Sequence, residues 1–408
     1  MQHDPSQSPP HWLTKERLRL YAWAALAVPL VALLRIYYFA AQGKLAPGGY
    51  DFGVFWSVSS LALHGHAIDS YTYKTMLKVA VGISPDMTVL GPWLYPPTFL
   101  LMIWPLALLP FPFAYIVFEG LTTLVLVLLL RRVLPMTEAF WPIVAFCCFL
   151  PNLMHGQNGA LTACLGLAAL LLLSRNRQIL GGVCIGLLSI KPQLAILFPI
   201  ALLCARMWPA ILSAALTTVV FAAVAEWIVG PGAFAAFVHA NGFARQALVD
   251  GSFPWWQMTT VYATLRLLHV PFAVALVAHG AVALAATAAT GWIWLRRPPF
   301  ALRAAALVPA TFLISPYLYI YDAIWLSIPI AFTVQHALQY GWRRGERTLL
   351  LIVWLIPVSA ESIAQYVHVG IGPVLCIALL VLLVMRTLRD GSAWNENTKI
   401  FHEKVYRS

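Results

Sequence analysis

Long apolar runs alternate with short polar ones from one end of the chain to the other. A helix needs about 20 predominantly apolar residues to cross the hydrocarbon core. Backbone in lipid must satisfy its own hydrogen bonds, so each run predicts a helix. The pattern predicts a first span at about Arg19–Phe39. Others follow at Phe113–Leu130, Phe140–Leu150, Ala160–Leu173, Ala210–Ile228, Phe272–Leu295, Ala304–Tyr319, Ala323–Leu338, Leu349–Ser362 and Val374–Arg386. Two runs read differently. Thr98–Leu109 is short for a crossing, and Ile179–Cys204 is interrupted by Lys191-Pro192. The residue before a proline avoids the helical region, so a break or hairpin is expected there. The longest polar stretch is Ala41–Pro97. Within it Asp51 opens DFGVFWSVSSLALHG, where Phe52, Phe55, Trp56 and Leu63 share one side of a helix. Aromatics favour the headgroup level, so this short amphipathic helix is expected to lie along the membrane surface.

The expectation is an all-α fold, a polytopic transmembrane helical bundle of about 10–12 membrane segments. It is read as one domain over residues 1–408, with tails at 1–18 and 387–408 and a first loop at 41–97. Composition agrees: of 408 residues 61% are hydrophobic and only 10% charged, against roughly 25% charged in soluble domains. No polar stretch is long enough for a separate soluble domain with its own core. The run Leu20–Leu34 lacks a small-residue cleavage signature after it, so it reads as a retained span and not as a signal peptide.

The net charge of +11 would suggest a nucleic-acid partner in a soluble protein. In a membrane protein cytoplasmic loops carry the excess Lys and Arg, and no nucleic acid is expected. With both termini in the cytoplasm, and with Thr98–Leu109 and Ile179–Cys204 returning to the side they left, 19 of the 26 basic residues face inward. Arg386 is among them. The other seven are Arg35, Lys44, Lys74, Lys78, Lys191, Arg245 and Arg266. This orientation puts Ala41–Pro97, Gly230–Gln257 and the Tyr317–Asp322 turn on the outer face of the plasma (inner) membrane. If both odd segments cross fully, arginine pairs scatter over both faces. The six cysteines all lie in apolar runs with no CxxC pair; they read as small hydrophobes.

Ionisable groups at membrane depth are functional candidates. Asp51, beside aromatics, suits a general base, although aspartate is also a good helix N-cap. Tyr95, in WLYPP, either begins a helix or lines a polar cavity. Lys191 and Gln193, in IKPQ, sit in the middle of an apolar run. A lysine there wants an anion, and a lipid phosphate is the natural one, unless it is the water-exposed tip of a hairpin. Gln157 and Asn158, in HGQNG, are a capped turn or part of a site. Tyr317, Tyr321 and Asp322, in SPYLYIYD, allow the same two readings. Arg245 and Arg266 could add positive potential for a phosphate. Glu119, Glu226 and Glu361 carry no assigned role, with polar packing the default for Glu119. No HExxH, GxSxG or phosphate-cradling glycine loop is present. Gly181, Gly182 and Gly186 read as close helix packing.

Taken in order, five segments resemble family 87 of the GT-C glycosyltransferases: YDFGVFWSVSSLALHGHAIDSY, LYPPTFLLMIWPLALLPFPFAY, NLMHGQNGALTACLGLAALLLLSRNR, LGGVCIGLLSIKPQLAILFPIALL and ISPYLYIYDAIWL. They run from about Tyr50 to Ile330, roughly two-thirds of the chain. The resemblance implies a GT-C membrane fold and a polyprenyl-phosphate sugar donor, often mannose. It further implies inverting hexosyl transfer to a lipid or glycan acceptor at the outer face. It makes Asp51 the base and Lys191 a donor-phosphate contact, with Gln157, Asn158 and Asp322 lining the site. Such enzymes often carry two close acids in the first loop. Here Asp51 stands alone, with Asp69 and Asp86 next, so no cofactor is expected and a divalent metal is not supported. A transporter or flippase of a polyprenyl-linked glycan is the alternative. Against it, one broken helix without a counterpart lacks the paired repeats of a transporter.

Overall fold

The computed structural model describes residues 12–41, 50–84, 87 and 90–406. Lys44, Asp86 and Arg407, and with them parts of the two tails and of the first loop, lie outside the described residues. Every regular element among the described residues is a helix. Five helices are long and apolar enough to cross a membrane: Phe111–Val133, Trp208–Val229, Phe272–Arg296, Glu346–Val367 and Gly372–Arg389. A sixth crossing results if Thr137–Val144 and Phe149–His155, bent by 40°, form one broken span. Shorter apolar helices, among them Pro97–Leu108, Gly159–Ser174 and Phe300–Ile314, pack between them. The chain is a multi-pass, all-helical membrane protein.

At the centre runs Phe300–Ile314, apolar apart from Arg303 and Thr311 and buried at most positions. A helix hydrophobic nearly all round belongs in an interior, and this one packs against Phe272–Arg296, Ser327–Tyr340 and the last helix. Small residues set the closest approach. A Cβ on Gly182 would fall 2.0 Å from Ser213 Oγ and 2.4 Å from the Ala210 carbonyl, and one on Gly186 would fall 2.5 Å from Thr217 Cβ. The glycines of Gln178–Leu187 thus let its backbone touch Trp208–Val229, as small-residue interfaces do in membranes.

The break at Lys191-Pro192 forms as expected. Lys191 has φ −145° and ψ 72°, and short 3-10 turns flank it at Leu188–Ile190 and Pro192–Leu194. The helix beginning at Asp51 exists, as Tyr50–Leu63, and its apolar positions Phe52, Val54, Phe55, Val58 and Leu61 are all buried within the protein. Its aromatics meet rings of the protein, with Phe52 against Phe111 and Phe118, and Phe55 against Trp93 and Phe99. The same face carries a polar clamp one turn on. Ser59 Oγ donates to the Trp104 carbonyl at 2.6 Å and accepts from the Ala107 N–H at 2.9 Å, which pins the 97–108 segment on top of it. Two stretches read as loop contain helices, Tyr73–Ile83 and Ala233–Asp250. In the second, Asn241, Gly242, Arg245 and Gln246 dilute the apolar pattern. The last helix runs on to Tyr406. Arg386, one of the basic residues assigned to the inner side, is fully buried against Glu346.

Candidate functional site

Four segments converge where the broken helix turns. The Asp51 carboxyl sits in the first turn of Tyr50–Leu63. Tyr95 precedes the prolines that open Pro97–Ile103. Lys191 stands at the break, and Asp322 in the tight 3-10 turn Ile320–Leu326. Between them lies the turn HGQNG. Gly156 adopts the left-handed conformation, φ 67°, and closes Phe149–His155, with the Gly156 and Gln157 N–H groups returning to the Asn152 carbonyl. Gly159 is needed for a different reason. A Cβ there would lie 2.6 Å from both Asn152 Oδ1 and the Tyr321 carbonyl. The motif's two glycines therefore fold the turn and let it press onto the 320–326 segment.

Two linked polar groups result. In the first, Tyr95 donates its hydroxyl to Gln157 Oε1 at 3.0 Å, and Gln157 Nε2 donates to Asp51 Oδ2 at 3.0 Å. His155 Nδ1 approaches the same Asp51 oxygen at 3.4 Å. In the second, Lys191 donates to Asp322 Oδ1 at 2.6 Å and to Asn158 Oδ1 at 3.3 Å, and its ammonium lies 4.8 Å from the centre of the Tyr321 ring. The Asn158 N–H meets Gln157 Oε1 at 3.4 Å, and the Tyr321 ring meets His155 at 5.8 Å, so the two groups form one cluster. Exposure divides it. The Asp51 and His155 side chains are 34% and 26% accessible, those of Lys191 and Asp322 only 4% and 0%. Asp51 Oδ1 has no hydrogen-bond partner among the described residues, and the buried Asn158 Nδ2 likewise has none.

The structure thus gathers Asp51, Tyr95, Gln157, Asn158, Lys191, Tyr321 and Asp322. Tyr317 reaches the cluster through a ladder of rings, edge-on to Tyr319 at 5.3 Å, with Tyr319 stacked on Tyr321 at 5.4 Å. The three expected phosphate cations are not assembled. Lys191 is already neutralised by Asp322 and closed from solvent. Arg245 is exposed on Ala233–Asp250 with no described partner. Arg266 caps its own short helix, donating to the Val270 carbonyl at 3.0 Å, and lies over Trp255. Gln193 is half-buried in the 192–194 turn without a described partner. Four further polar residues take part, His155, Glu119, Asn152 and Glu361. His155, inside the quoted HGQNG, touches Asp51. Glu119 accepts from Asn152 Nδ2 at 2.6 Å, and Asn152 Oδ1 accepts from the Ala160 N–H at 3.2 Å, which ties the turn to Phe111–Val133. Glu361 accepts from Gln257 at 3.2 Å and acts electrostatically on His155.

Among the described residues no three His, Cys, Asp or Glu side chains group as a metal site. The cluster offers one partly open carboxylate with an unoccupied oxygen, a free amide donor, and an ion pair sealed behind them. That arrangement can take a proton from a hydroxyl held over Asp51. No curated protein and no solved structure matches the chain. The family model described as glycosyltransferase family 87 matches residues 93–316. Asp51 precedes the matched stretch and Asp322 follows it, while Tyr95, Gln157, Asn158 and Lys191 fall within. The match covers more than half of the 408 residues, and the chain belongs to glycosyltransferase family 87.

Proposed function

We propose that this membrane glycosyltransferase moves a hexosyl group, mannose-like, from a polyprenyl-phosphate donor to a lipid or glycan acceptor at the outer face of the membrane, with inversion. Asp51 is the general base. The supporting observation is the state of its carboxylate. One oxygen is held by Gln157 and the other is left for a substrate, at a position a third accessible. Inverting transfer needs one base near the acceptor hydroxyl. The acceptor oxygen attacks the anomeric carbon as Asp51 takes its proton, and the bond to the phosphate oxygen breaks with its electron pair leaving on the phosphate. Tyr95 and Gln157 orient the base through their hydrogen-bonded chain. Asn158 Nδ2 supplies an unspent donor beside it. Lys191, paired with Asp322, holds Asn158 in place and adds no free charge. The apolar bundle around the site favours a lipid-borne donor.

Purified protein in nanodiscs, given radiolabelled polyprenyl-phosphate mannose and the total lipid extract of the source cells, should label a lipid or glycan product. Asp51→Asn should lower that transfer at least a hundredfold while the protein remains folded. Undiminished transfer by Asp51→Asn would remove the base assignment. Labelling from a nucleotide sugar alone would remove the lipid donor.

A further inference from the structure

Each turnover of such a reaction releases a proton. A sugar phosphodiester carries one negative charge, and the lipid phosphate monoester it becomes carries a second above its pKa of about 6. The proton removed from the acceptor must therefore leave Asp51 before the next cycle. Of the side chains in contact with that carboxylate, Gln157 only donates, through an amide that does not accept a proton. Tyr95 is a second step away and donates to Gln157. Lys191 is bound to Asp322 and sealed. The remaining contact is His155, with Nδ1 3.4 Å from Asp51 Oδ2 and its side chain 26% accessible. We propose that His155 is the proton exit: it takes the proton from Asp51 and hands it to water, an inference that rests on Asp51 being the base.

The step balances. The acceptor hydroxyl proton goes to Asp51, then from the Asp51 carboxylic acid to neutral His155 Nδ1; the imidazolium loses its Nε2 proton to water or buffer, and proton exchange with water returns the ring to the Nε2–H tautomer before the next turnover. No other reactant is needed. The transfer is a single step between two side chains already in contact. The turn geometry serves it as well. His155 ends its helix and Gly156 turns the chain immediately after, so the ring stands at the mouth of the cluster while Asn158 faces the buried side. The groups acting on the ring come from three elements. Asp51 comes from Tyr50–Leu63, Glu361 from Ala360–Val367, and Tyr321 from the 320–326 turn, with the Lys191–Asp322 pair behind Tyr321.

The test is the pH dependence of kcat with the same donor and lipid extract. Wild type should lose rate as the pH falls and the His155 imidazole becomes protonated, because only neutral imidazole accepts the proton. His155→Gln should lower kcat about a hundredfold, leave the donor KM unchanged and abolish that inflection. In His155→Gly, added imidazole should restore part of the rate. A His155→Gln enzyme with wild-type kcat and the same inflection overturns the inference, as does His155→Gly that is folded yet unresponsive to imidazole. Either result with a dead Asp51→Asn leaves the base assignment standing. An active Asp51→Asn sinks both.

Discussion

Among the described residues two buried ion pairs hold this bundle, and their surroundings differ. Arg386 directs its guanidinium fork at both Glu346 oxygens, with His336 and the Gly341 carbonyl taking further contacts. Glu346 also accepts from the Arg343 N–H at 2.8 Å. The planar fork suits such multiple bonding, and it ties the segment after Ser327–Tyr340 to the last helix. Lys191 is a compact charge held by one Asp322 oxygen and one Asn158 oxygen beside an aromatic face. Next to it lie an unspent amide donor and an open carboxylate. Charge composition alone does not separate the pairs. Chemistry belongs where a partly accessible carboxylate stands beside the buried pair, and that is the Lys191 side.

The largest contrast should come from removing charges at the site pair. Lys191→Met leaves Asp322 buried without its counter-ion, a loss of about 3–5 kcal/mol, and transfer should disappear with it. The double variant Lys191→Met/Asp322→Leu removes both charges, and such replacements are often neutral for stability. Its unfolding midpoint should therefore return close to wild type. Transfer should stay at least tenfold down, because Asn158 has lost the donor that orients it. Thermal unfolding and the transfer assay, run on the same preparation, check this. Full recovery of activity in the double variant would make the pair a strut like the other one.

Arg386→Met should cost a similar 3–5 kcal/mol or so but leave the specific activity of the folded fraction unchanged. Arg386→Lys should rescue little, since an ammonium cannot span both Glu346 oxygens and the other acceptors. A specific activity that falls as far in Arg386→Met as in Lys191→Met would erase the difference between the two regions.

The sequence reading saw one of these regions and not the other. Lys191 is legible because it interrupts an apolar run, Gln157, Asn158 and Asp322 because they stand in short turns between such runs, and Asp51 and Tyr95 because each is a polar group among aromatics at the start of a helix, where its cost demands a reason. The break at Lys191 was legible from its proline, and the glycine contacts of Gln178–Leu187 from their spacing. Arg386 was not legible. It lies near the end of a span, where arginines ordinarily reach water, and its partner Glu346 is 40 residues away beside Arg343, Arg344 and Arg347. Lys191 was matched to an external anion because the sequence could not show that Asp322, 131 residues later, already supplies one. Arg245 and Arg266 were grouped with it by loop alone, and a loop assignment carries no direction for a side chain. The partners of the Tyr50–Leu63 aromatics are not legible, because one-sided aromatics fit a headgroup layer and a packed aromatic core equally well.

The smallest expected effect lies between the two regions, at Glu119. It is buried in Phe111–Val133 and reaches the site only through Asn152, with Oε2 bonded and Oε1 lacking a partner among the described residues. One turn earlier on the same helix, Tyr115 donates to the Leu153 carbonyl, so two side chains four residues apart clamp the HGQNG turn from behind. An amide oxygen can accept from Asn152 as the carboxyl does. Glu119→Gln should therefore keep stability and transfer near wild type. Glu119→Leu leaves Asn152 Nδ2 buried and unpaired, a cost of about 1–3 kcal/mol. Asn152 would then hold Ala160 and the turn less firmly, and kcat should fall a few-fold with the donor KM unchanged. If Glu119→Gln proved as damaging as Glu119→Leu, the carboxyl itself would be needed, and Glu119 would belong with Asp51 among the residues that handle protons.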